Sequence, residues 1–212
     1  MSERRVSAEK AALRRRFRAL RADAPERGAA ERGAADAALV ARVLALPEVA
    51  AARTVLAFWP LLHRGEVDVR PLVVALQARG VRVALPVVVP GEAPRLVARV
   101  AAGALVDGPW GLREPPSGAP EVAPGALDLV VVPALALGRD GSRLGYGGGY
   151  YDAFLATTPA LRVGVVRHAC LVDALPAEAH DACVDVVVTE HETVRVSGGT
   201  ADRVRNAVAP AP

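Results

Sequence analysis

The sequence predicts an α/β fold: an open, mostly parallel sheet with helices on both faces, which together make three layers. Residues 54–59 and 81–89 are apolar runs typical of buried strands, and residues 68–79 between them have a helical pattern. A strand, a helix and a strand in this order form a βαβ unit, whose two strands are parallel. Three later apolar runs are also predicted strands: 127–132, 161–166 and 184–189.

The first predicted element is an amphipathic helix over residues 7–22, with Ser7 at the N-cap position. At about 100° per residue its apolar side chains form one stripe, which consists of Val6, Leu13, Phe17 and Leu20. Three cations follow one edge of that stripe: Lys10, Arg14 and Arg21. These cations either lie over a cleft or form a solvated rim whose aliphatic stems cover apolar surface.

The remaining elements continue the alternation of helices and strands. An alanine-rich helix is predicted over residues 26–46, because Pro47 cannot continue it. Asp68 is predicted to cap the helix of the βαβ unit, and Gly80 is predicted to end it. Two further elements complete the prediction: a strand near the sheet edge at 95–100 and a short helix at 150–157.

The pattern along the chain also predicts its domain organisation. We expect one domain over residues 1–196 and a frayed polar tail over residues 197–212. Residues 102–126 are rich in proline and glycine, which predicts an ordered surface excursion with the potential to act as a lid.

The composition favours a globular protein of the cytoplasm. Hydrophobic residues make up 52% of the chain, which excludes an intrinsically disordered protein. No apolar run reaches the length of a membrane span, and the chain starts with charged residues rather than an apolar signal segment. The net charge is only +3 although the pI is about 9.3, because arginine replaces lysine almost everywhere and Lys10 is the one lysine.

The most informative segment is a glycine-rich loop that precedes the predicted helix at 150–157. All three tyrosines and four glycines fall within residues 143–152. Glycines let backbone N–H groups approach a phosphate closely, and a helix N-terminus adds positive potential. No Lys-Ser or Lys-Thr follows the glycines, which excludes a Walker A loop. Tyr150 stands where the third glycine of a dinucleotide fingerprint belongs, so we expect a Rossmann-like fold with another kind of anion-binding loop.

Several side chains near this loop suit a nucleotide or a planar ring. Arg143 is able to pair with a phosphate oxygen, and the tyrosine rings are able to pack on a base or a pterin. Asp152 is either a magnesium ligand, alongside nucleotide phosphates, or a first-turn acid that stabilises the helix dipole. Glu66 is either a solvated loop acid or a ligand contact, since it follows a predicted parallel strand at its carboxyl end.

Taken together, these segments resemble the 5-formyltetrahydrofolate cyclo-ligase family over about residues 8–190. The most specific match is RLGYGGGYYDAFL at 143–155. Five further segments appear in the family's order and approximate spacing: KAALRRRFRAL at 10–20, GEVDVRPL at 65–72, ALP at 84–86, GLREP at 111–115 and HDACVDVVVTE at 180–190. Two positions depart from the family's usual residues, since Gly138 stands where an aspartate is common and Cys170 where a glutamine is usual.

The resemblance implies an ATP- and magnesium-dependent enzyme on an α/β fold. Such an enzyme converts 5-formyltetrahydrofolate to 5,10-methenyltetrahydrofolate and releases ADP and phosphate. The implied mechanism is phosphoryl transfer to the formyl oxygen, followed by attack of the folate N10 on the activated carbon and loss of phosphate. The implied partners are therefore a folate and ATP, with no nucleic acid and no membrane, and the protein is expected to be a monomer.

The resemblance also assigns roles to individual residues. Lys10 and Arg143 would stabilise charge during the reaction, with no covalent nucleophile. The implied ATP contacts are Lys10, Arg14, Arg143, Leu144, Gly145, Tyr146, Gly147, Gly148, Gly149, Tyr150 and Tyr151. The implied folate contacts are Leu61, Glu66, Tyr146, Gly147, Gly148, Gly149 and Tyr150. The implied metal-linked acids are Asp152 and Asp185.

Two other functions compete with this interpretation. The first is an ATP- or phosphate-binding α/β enzyme with different chemistry, including a diverged paralogue that acts on another small molecule. The second is a nucleic-acid-binding protein that uses the basic first helix. Few aromatic residues lie outside the glycine loop, which argues against a surface that stacks single-stranded bases.

Overall fold

The structure, a computed structural model, describes residues 3–22 and 28–197. Five α-helices lie in this part of the chain: α1 (Glu3–Ala22), α2 (Ala29–Leu44), α3 (Pro47–Ala51), α4 (Arg70–Ala78) and α5 (Tyr150–Leu155). Its strands are β1 (Thr54–Leu56), β2 (Arg82–Val89), β3 (Arg95–Val100), β4 (Val106–Asp107), β5 (Arg113–Glu114), β6 (Glu121–Val122), β7 (Leu129–Pro133), β8 (Ala136–Gly138), β9 (Arg143–Leu144), β10 (Leu161–Val165), β11 (Leu171–Val172), β12 (Val186–Val188) and β13 (Thr193–Arg195).

Eight of these strands form the main sheet, in the order β13-β12-β10-β7-β1-β2-β3-β6. The five central strands, from β12 to β2, are parallel to one another. The outer strands β13, β3 and β6 pair antiparallel to their neighbours. The predicted α/β fold with a mostly parallel sheet is therefore confirmed.

The central strands are buried on both faces, which explains their continuous apolar sequences. Successive side chains of a strand point to opposite faces, and in β7 Val131 packs in one hydrophobic cluster while Val130 packs in the other. The first cluster includes Leu39 of α2 and Leu72 of α4, and the second includes Phe17 of α1. Helices cover both faces, so the predicted three layers are present.

Two predictions about α1 are wrong. The helix begins at Glu3 rather than at residue 7, so Ser7 lies inside it and does not cap it. Glutamate and arginine at positions 3–5 are good helix formers and extend the helix toward the N-terminus. Within the stripe, Val6 and Phe17 are buried, but Leu20 is 41% exposed.

The next two helices also differ from the prediction in their ends. The alanine-rich helix is predicted to end before Pro47, and Pro47 instead begins a separate helix, α3, in whose first turn proline is favoured. Val69, not Asp68, is the N-cap of α4. The Asp68 carboxylate instead accepts the Arg70 N–H at 3.1 Å and pairs with the Arg70 guanidinium at 2.6 Å. Gly80 follows α4 with a φ of +77°, in the left-handed conformation expected where a helix ends.

The strands that the sequence did not predict are short, and they either form small separate sheets or lie at the edges of the main sheet. The excursion at 102–126 contains the β4–β5 pair and the edge strand β6. Strands β8, β9 and β11 form a separate three-stranded sheet, and β13 adds an antiparallel edge. Except for Ser197, the predicted tail at 197–212 lies outside the described residues, and the single domain over 1–196 stays a prediction.

Within residues 3–22 and 28–197, no helix combines the length and the apolar character that crossing a bilayer would require.

Gly164 in β10 tests the close packing of the sheet against the small sheet. A Cβ at this position would lie 2.7 Å from the Leu137 Cδ1 and 3.1 Å from both methyl groups of Val184. We expect Gly164→Ala to lower the free energy of unfolding by about 1–3 kcal/mol, the usual effect of overpacking. Urea unfolding followed by circular dichroism measures this. Gly118→Ala is the matched control because open space surrounds that position, and equal effects of the two substitutions would contradict the packing argument.

Candidate active site

A cavity of about 1250 Å³ lies at the carboxyl ends of the central strands. This is the edge at which open α/β sheets bind their ligands. Pockets for one small ligand usually measure about 300–1000 Å³, so this cavity is larger than a single small ligand needs. Four segments supply most of its wall: α1, the loop after β1, the glycine loop that contains residues 145–149, and the excursion at 102–126.

The glycine loop turns sharply between β9 and α5. Gly147 has a φ of +103° and Gly149 a φ of +70°, conformations that side-chain-bearing residues rarely adopt. A Cβ at position 147 would lie 3.5 Å from the Arg14 guanidinium. That distance is an ordinary van der Waals contact, so the positive φ, and not crowding by Arg14, is what favours glycine at position 147.

Three arginines of α1 bind this loop. The Arg14 Nε donates to the Gly145 carbonyl oxygen at 3.0 Å, and Arg18 donates to the Tyr146 carbonyl oxygen at 3.1 Å. Arg21 donates to the Tyr146 hydroxyl at 2.9 Å. The cations along the edge of the helix stripe therefore lie over a cleft, which is one of the two alternatives that the sequence left open.

Lys10 lies deeper in the cavity wall and is only 3% exposed. Its ammonium pairs with the Glu178 carboxylate at 2.7 Å and with the Asp181 carboxylate. Burial acts to lower the pKa of Lys10, but the two carboxylates outweigh this effect and raise the pKa above its ordinary value. Burial likewise acts to raise the pKa of Asp181, and the Glu178 N–H together with Lys10 outweighs it and lowers that pKa.

Arg143 and Asp152 connect the two ends of the glycine loop. The Arg143 Nη2 donates to the Asp152 Oδ1 at 2.5 Å, and the same oxygen accepts the Ala182 N–H at 3.0 Å. The Arg143 Nε also donates to the Ala182 carbonyl oxygen at 3.4 Å. The loop is thereby attached to the segment at 173–185, which also carries the partners of Lys10.

Glu66 is a hydrogen-bond acceptor inside the cavity and is only 7% exposed. Its Oε2 accepts the Leu61 N–H at 2.7 Å, and its Oε1 accepts the Tyr146 hydroxyl at 2.5 Å. Burial and the charge of Glu66 raise the pKa of Tyr146 far above its ordinary value, although Arg21 opposes them. Tyr146 therefore keeps its proton at neutral pH and serves as a donor to Glu66.

Aromatic rings form another part of the cavity wall. The rings of Trp110 and Tyr150 meet edge to face, with centroids 5.5 Å apart. Trp110 is 56% exposed and has a φ of +59°, the one left-handed backbone among the non-glycine residues that the structure describes. A bulky residue in this conformation is a genuine outlier, and the backbone turn presents the indole to the cavity mouth.

The structure brings nearly all the sequence-predicted site residues to this cavity. Two of them do not line it. Leu144 is a core residue that is 1% exposed, and Asp185 is a buried acid whose Oδ2 accepts the Arg162 N–H at 2.8 Å. The unusual residues Gly138 and Cys170 do not line the cavity either.

The sequence analysis missed several charged residues of the cavity wall, and four of them form the buried contacts that matter most here: Asp36, Arg167, Glu178 and Asp181. One of them left a signal. Asp36 precedes Leu39, Val40 and Val43 at helical spacing, and an acid on the buried stripe of a helix requires a partner. The others lie in loops, where no periodic pattern indicates which way a side chain points.

An open α/β sheet with a large cavity at its carboxyl edge is the architecture of many small-molecule enzymes. Residues 6–190 match the 5-formyltetrahydrofolate cyclo-ligase family, and the chain belongs to that family.

Individual relatives agree with this assignment. The chain is 40% identical to 5-formyltetrahydrofolate cyclo-ligase from Mycolicibacterium smegmatis over 65% of this chain and 73% of that protein. It is 35% identical to the Escherichia coli protein of the same name, over 70% of this chain and 84% of the relative. The solved structure of Aquifex aeolicus 5,10-methenyltetrahydrofolate synthetase superposes with a TM-score of 0.75 at 30% identity, covering 90% of this chain and 94% of the other.

The pairing of Lys10 with Asp181 predicts a pH dependence of stability. Because the pKa of Asp181 is lower in the folded protein than its ordinary value of 3.8, its stabilising effect is complete above about pH 5 and is lost as the pH falls through the folded-state pKa. We expect Asp181→Asn to destabilise the protein at neutral pH, with a difference from wild type that shrinks toward pH 2. Urea unfolding at a series of pH values measures this difference.

Asp107→Asn is the matched control for this experiment. Asp107 pairs with Arg113 at 2.7 Å, but its side chain is 88% exposed, and exposed pairs contribute little to stability. An Asp181→Asn difference that stays constant down to acid pH would show that the carboxylate charge does not stabilise the fold.

Proposed function

We propose that this cavity is the active site of an ATP-dependent 5-formyltetrahydrofolate cyclo-ligase, the activity that comes with membership of the family. The enzyme acts on folate in one-carbon metabolism and uses ATP. One observation carries the placement: the glycine loop, the cations of α1 and the Glu66 loop all face the same cavity.

The glycine loop and α1 are the proposed nucleotide side of the cavity. Backbone N–H groups of Gly145, Gly147, Gly148 and Gly149 are able to meet phosphate oxygens. Arg14 and Lys10 flank this loop, and Arg143 begins it. Leu144 contributes through its backbone, since its side chain is in the core. Tyr151 contributes shape rather than a charge, because burial raises the pKa of its phenol far above its ordinary value.

The loop after β1 is the proposed folate side. Leu61 and Glu66 line the cavity there, and Tyr146 joins them to the glycine loop. The rings of Tyr150 and Trp110 give this region an apolar wall suited to a planar ring system. A carboxylate held by two hydrogen bonds in a buried setting is able to orient the N–H groups of a pterin.

The proposed chemistry needs positioning and charge stabilisation rather than a protein nucleophile. The γ-phosphoryl group of ATP is transferred to the formyl oxygen, the folate N10 attacks the activated carbon, and phosphate leaves as the ring closes. Lys10, Arg143 and the loop N–H groups stabilise the negative charge on the transferred group. Tyr146 and Glu66 hold the folate where its formyl oxygen faces the nucleotide.

One of the two predicted magnesium ligands is placed to bind the ion. Asp152 lines the cavity, and although its Oδ1 is hydrogen-bonded, its Oδ2 faces no protein donor among the described residues. Asp185 is bonded to the Arg162 backbone and does not line the cavity, so its metal role stays a prediction. Phosphates bound beside Lys10 would bring negative charge close to the Glu178 and Asp181 carboxylates. A bound magnesium ion would offset that negative charge.

The direct test follows the absorbance of methenyltetrahydrofolate after the purified protein is mixed with 5-formyltetrahydrofolate, ATP and magnesium. We expect an absorbance rise that requires ATP. Bound ATP without any rise would contradict the proposed reaction while leaving the nucleotide side of the cavity intact.

Gly147→Ala tests the nucleotide side separately. An alanine at a φ of +103° strains the loop, and strain of this kind costs about 1–3 kcal/mol. We expect the KM for ATP to rise by about tenfold, with a smaller change in the KM for 5-formyltetrahydrofolate. Gly103→Ala is the matched control, because Gly103 also has a positive φ, of +79°, but lies in open space. If both variants lose only stability, the loop does not form the nucleotide site.

A further inference from the structure

Arg167 and Asp36 form an ion pair beside the Glu66 loop that the reaction scheme does not use. Arg167 lies two residues after the carboxyl end of β10, and Asp36 lies on the buried face of α2. The guanidinium binds the carboxylate through two parallel hydrogen bonds, Nε to Oδ1 at 2.8 Å and Nη2 to Oδ2 at 2.7 Å. Asp36 is 6% exposed, so both groups hold a fixed geometry.

The same guanidinium also binds the loop that carries Glu66. The Arg167 Nη1 donates to the Gly65 carbonyl oxygen at 2.9 Å, and Nη2 donates to the Glu66 carbonyl oxygen at 3.2 Å. The Asp36 Oδ2 accepts the Asp68 N–H at 2.9 Å, on the other side of Glu66. One planar group thus fixes the backbone of the loop at consecutive residues.

The loop is held on its other side by α1 and the glycine loop. A Cβ on Gly65 would lie 3.0 Å from the Arg21 Cβ and 3.2 Å from the Arg21 carbonyl oxygen. The Tyr146 hydroxyl binds the Glu66 carboxylate at 2.5 Å. Arg167 fixes the backbone of Glu66, and Tyr146 fixes its side chain.

We propose that Arg167, oriented by Asp36, is a positioning residue that sets the location of Glu66 for binding of the folate substrate. This inference rests on the proposed function of the cavity. Arginine suits the role because its planar fork reaches a carboxylate and two carbonyl oxygens at once, whereas a lysine ammonium is a single point charge. A misplacement of about 1 Å in such a site is able to cost about 100-fold in rate.

The proposal predicts a selective effect of R167K on the folate. This variant keeps the positive charge beside Asp36 but gives up the simultaneous contacts to Gly65 and Glu66. We expect binding of 5-formyltetrahydrofolate to weaken by about tenfold, while binding of ATP changes less than twofold. Isothermal titration of each ligand measures this without requiring turnover. D36N is the second variant, and it is expected to shift folate binding in the same direction because it frees the guanidinium.

Two controls separate positioning from a merely structural role. R195M removes an arginine that pairs with Glu48 at 2.6 Å, and because neither residue lines the cavity, it should leave both affinities unchanged. E66Q combined with R167K should weaken folate binding no more than E66Q alone, because Arg167 acts through Glu66.

The outcomes distinguish this proposal from the proposed function. If the wild-type protein binds 5-formyltetrahydrofolate but does not convert it, the proposed reaction is contradicted. The positioning role of Arg167 is then decided by the folate affinities of the variants. Unchanged folate affinity in R167K and D36N, equal losses for both ligands, or additive losses with E66Q would each overturn the positioning role. Wild-type protein that does not bind the folate at all would overturn both.

Discussion

The site depends on the burial of the one lysine in the chain. An ammonium that is only 3% exposed is very costly without partners, and the Glu178 and Asp181 carboxylates supply them. This pairing attaches α1 to the segment at 173–185, although the two are far apart in the sequence. Removing Lys10 would leave two neighbouring carboxylates with no cation between them, so the position of α1 and the shape of this segment are coupled.

The position of α1 in turn determines the shape of the glycine loop. Such a loop has high conformational entropy when free, because glycine restricts the backbone least. In the folded protein, Arg14, Arg18 and Arg21 bind Gly145 and Tyr146 from one side, and Arg143 joins the loop to Asp152. The loop N–H groups are therefore oriented in advance, which would lower the entropy cost of binding the proposed nucleotide.

The sequence predicts those features that depend on local patterns. The central strands are continuous apolar runs because both faces are buried, and the glycine loop has a composition that few scaffolds require. Patterns of this kind do not predict β5, β6 or β9, since two residues are too few to show a period. They also miss Arg167 and Asp36, which meet across 131 positions of sequence. Such a pair is recognisable only from Asp36, an acid on an otherwise apolar helix face.

The surroundings of Gly138 are another feature that local sequence patterns do not predict. Position 138 is a glycine, and the space beside it is filled. A Cβ at this position would lie 2.2 Å from the Asp140 Oδ1 and 2.3 Å from the Ser142 Oγ. Asp140 accepts the Ser142 N–H at 3.0 Å and its hydroxyl proton at 2.5 Å, so a carboxylate from two residues later stabilises the turn before Arg143.

The contrast between Lys10 and its arginine neighbours follows from what each must bind. Arg14, Arg18 and Arg21 donate directed N–H groups to oxygens of the glycine loop, a task for which a planar fork is suited. Lys10 lies between two carboxylates in a space that a compact ammonium fills, with three donors that are free to rotate. A guanidinium there would need more room and a flat arrangement of acceptors. The chemistry of this position therefore favours lysine even in a chain whose other cations are arginine.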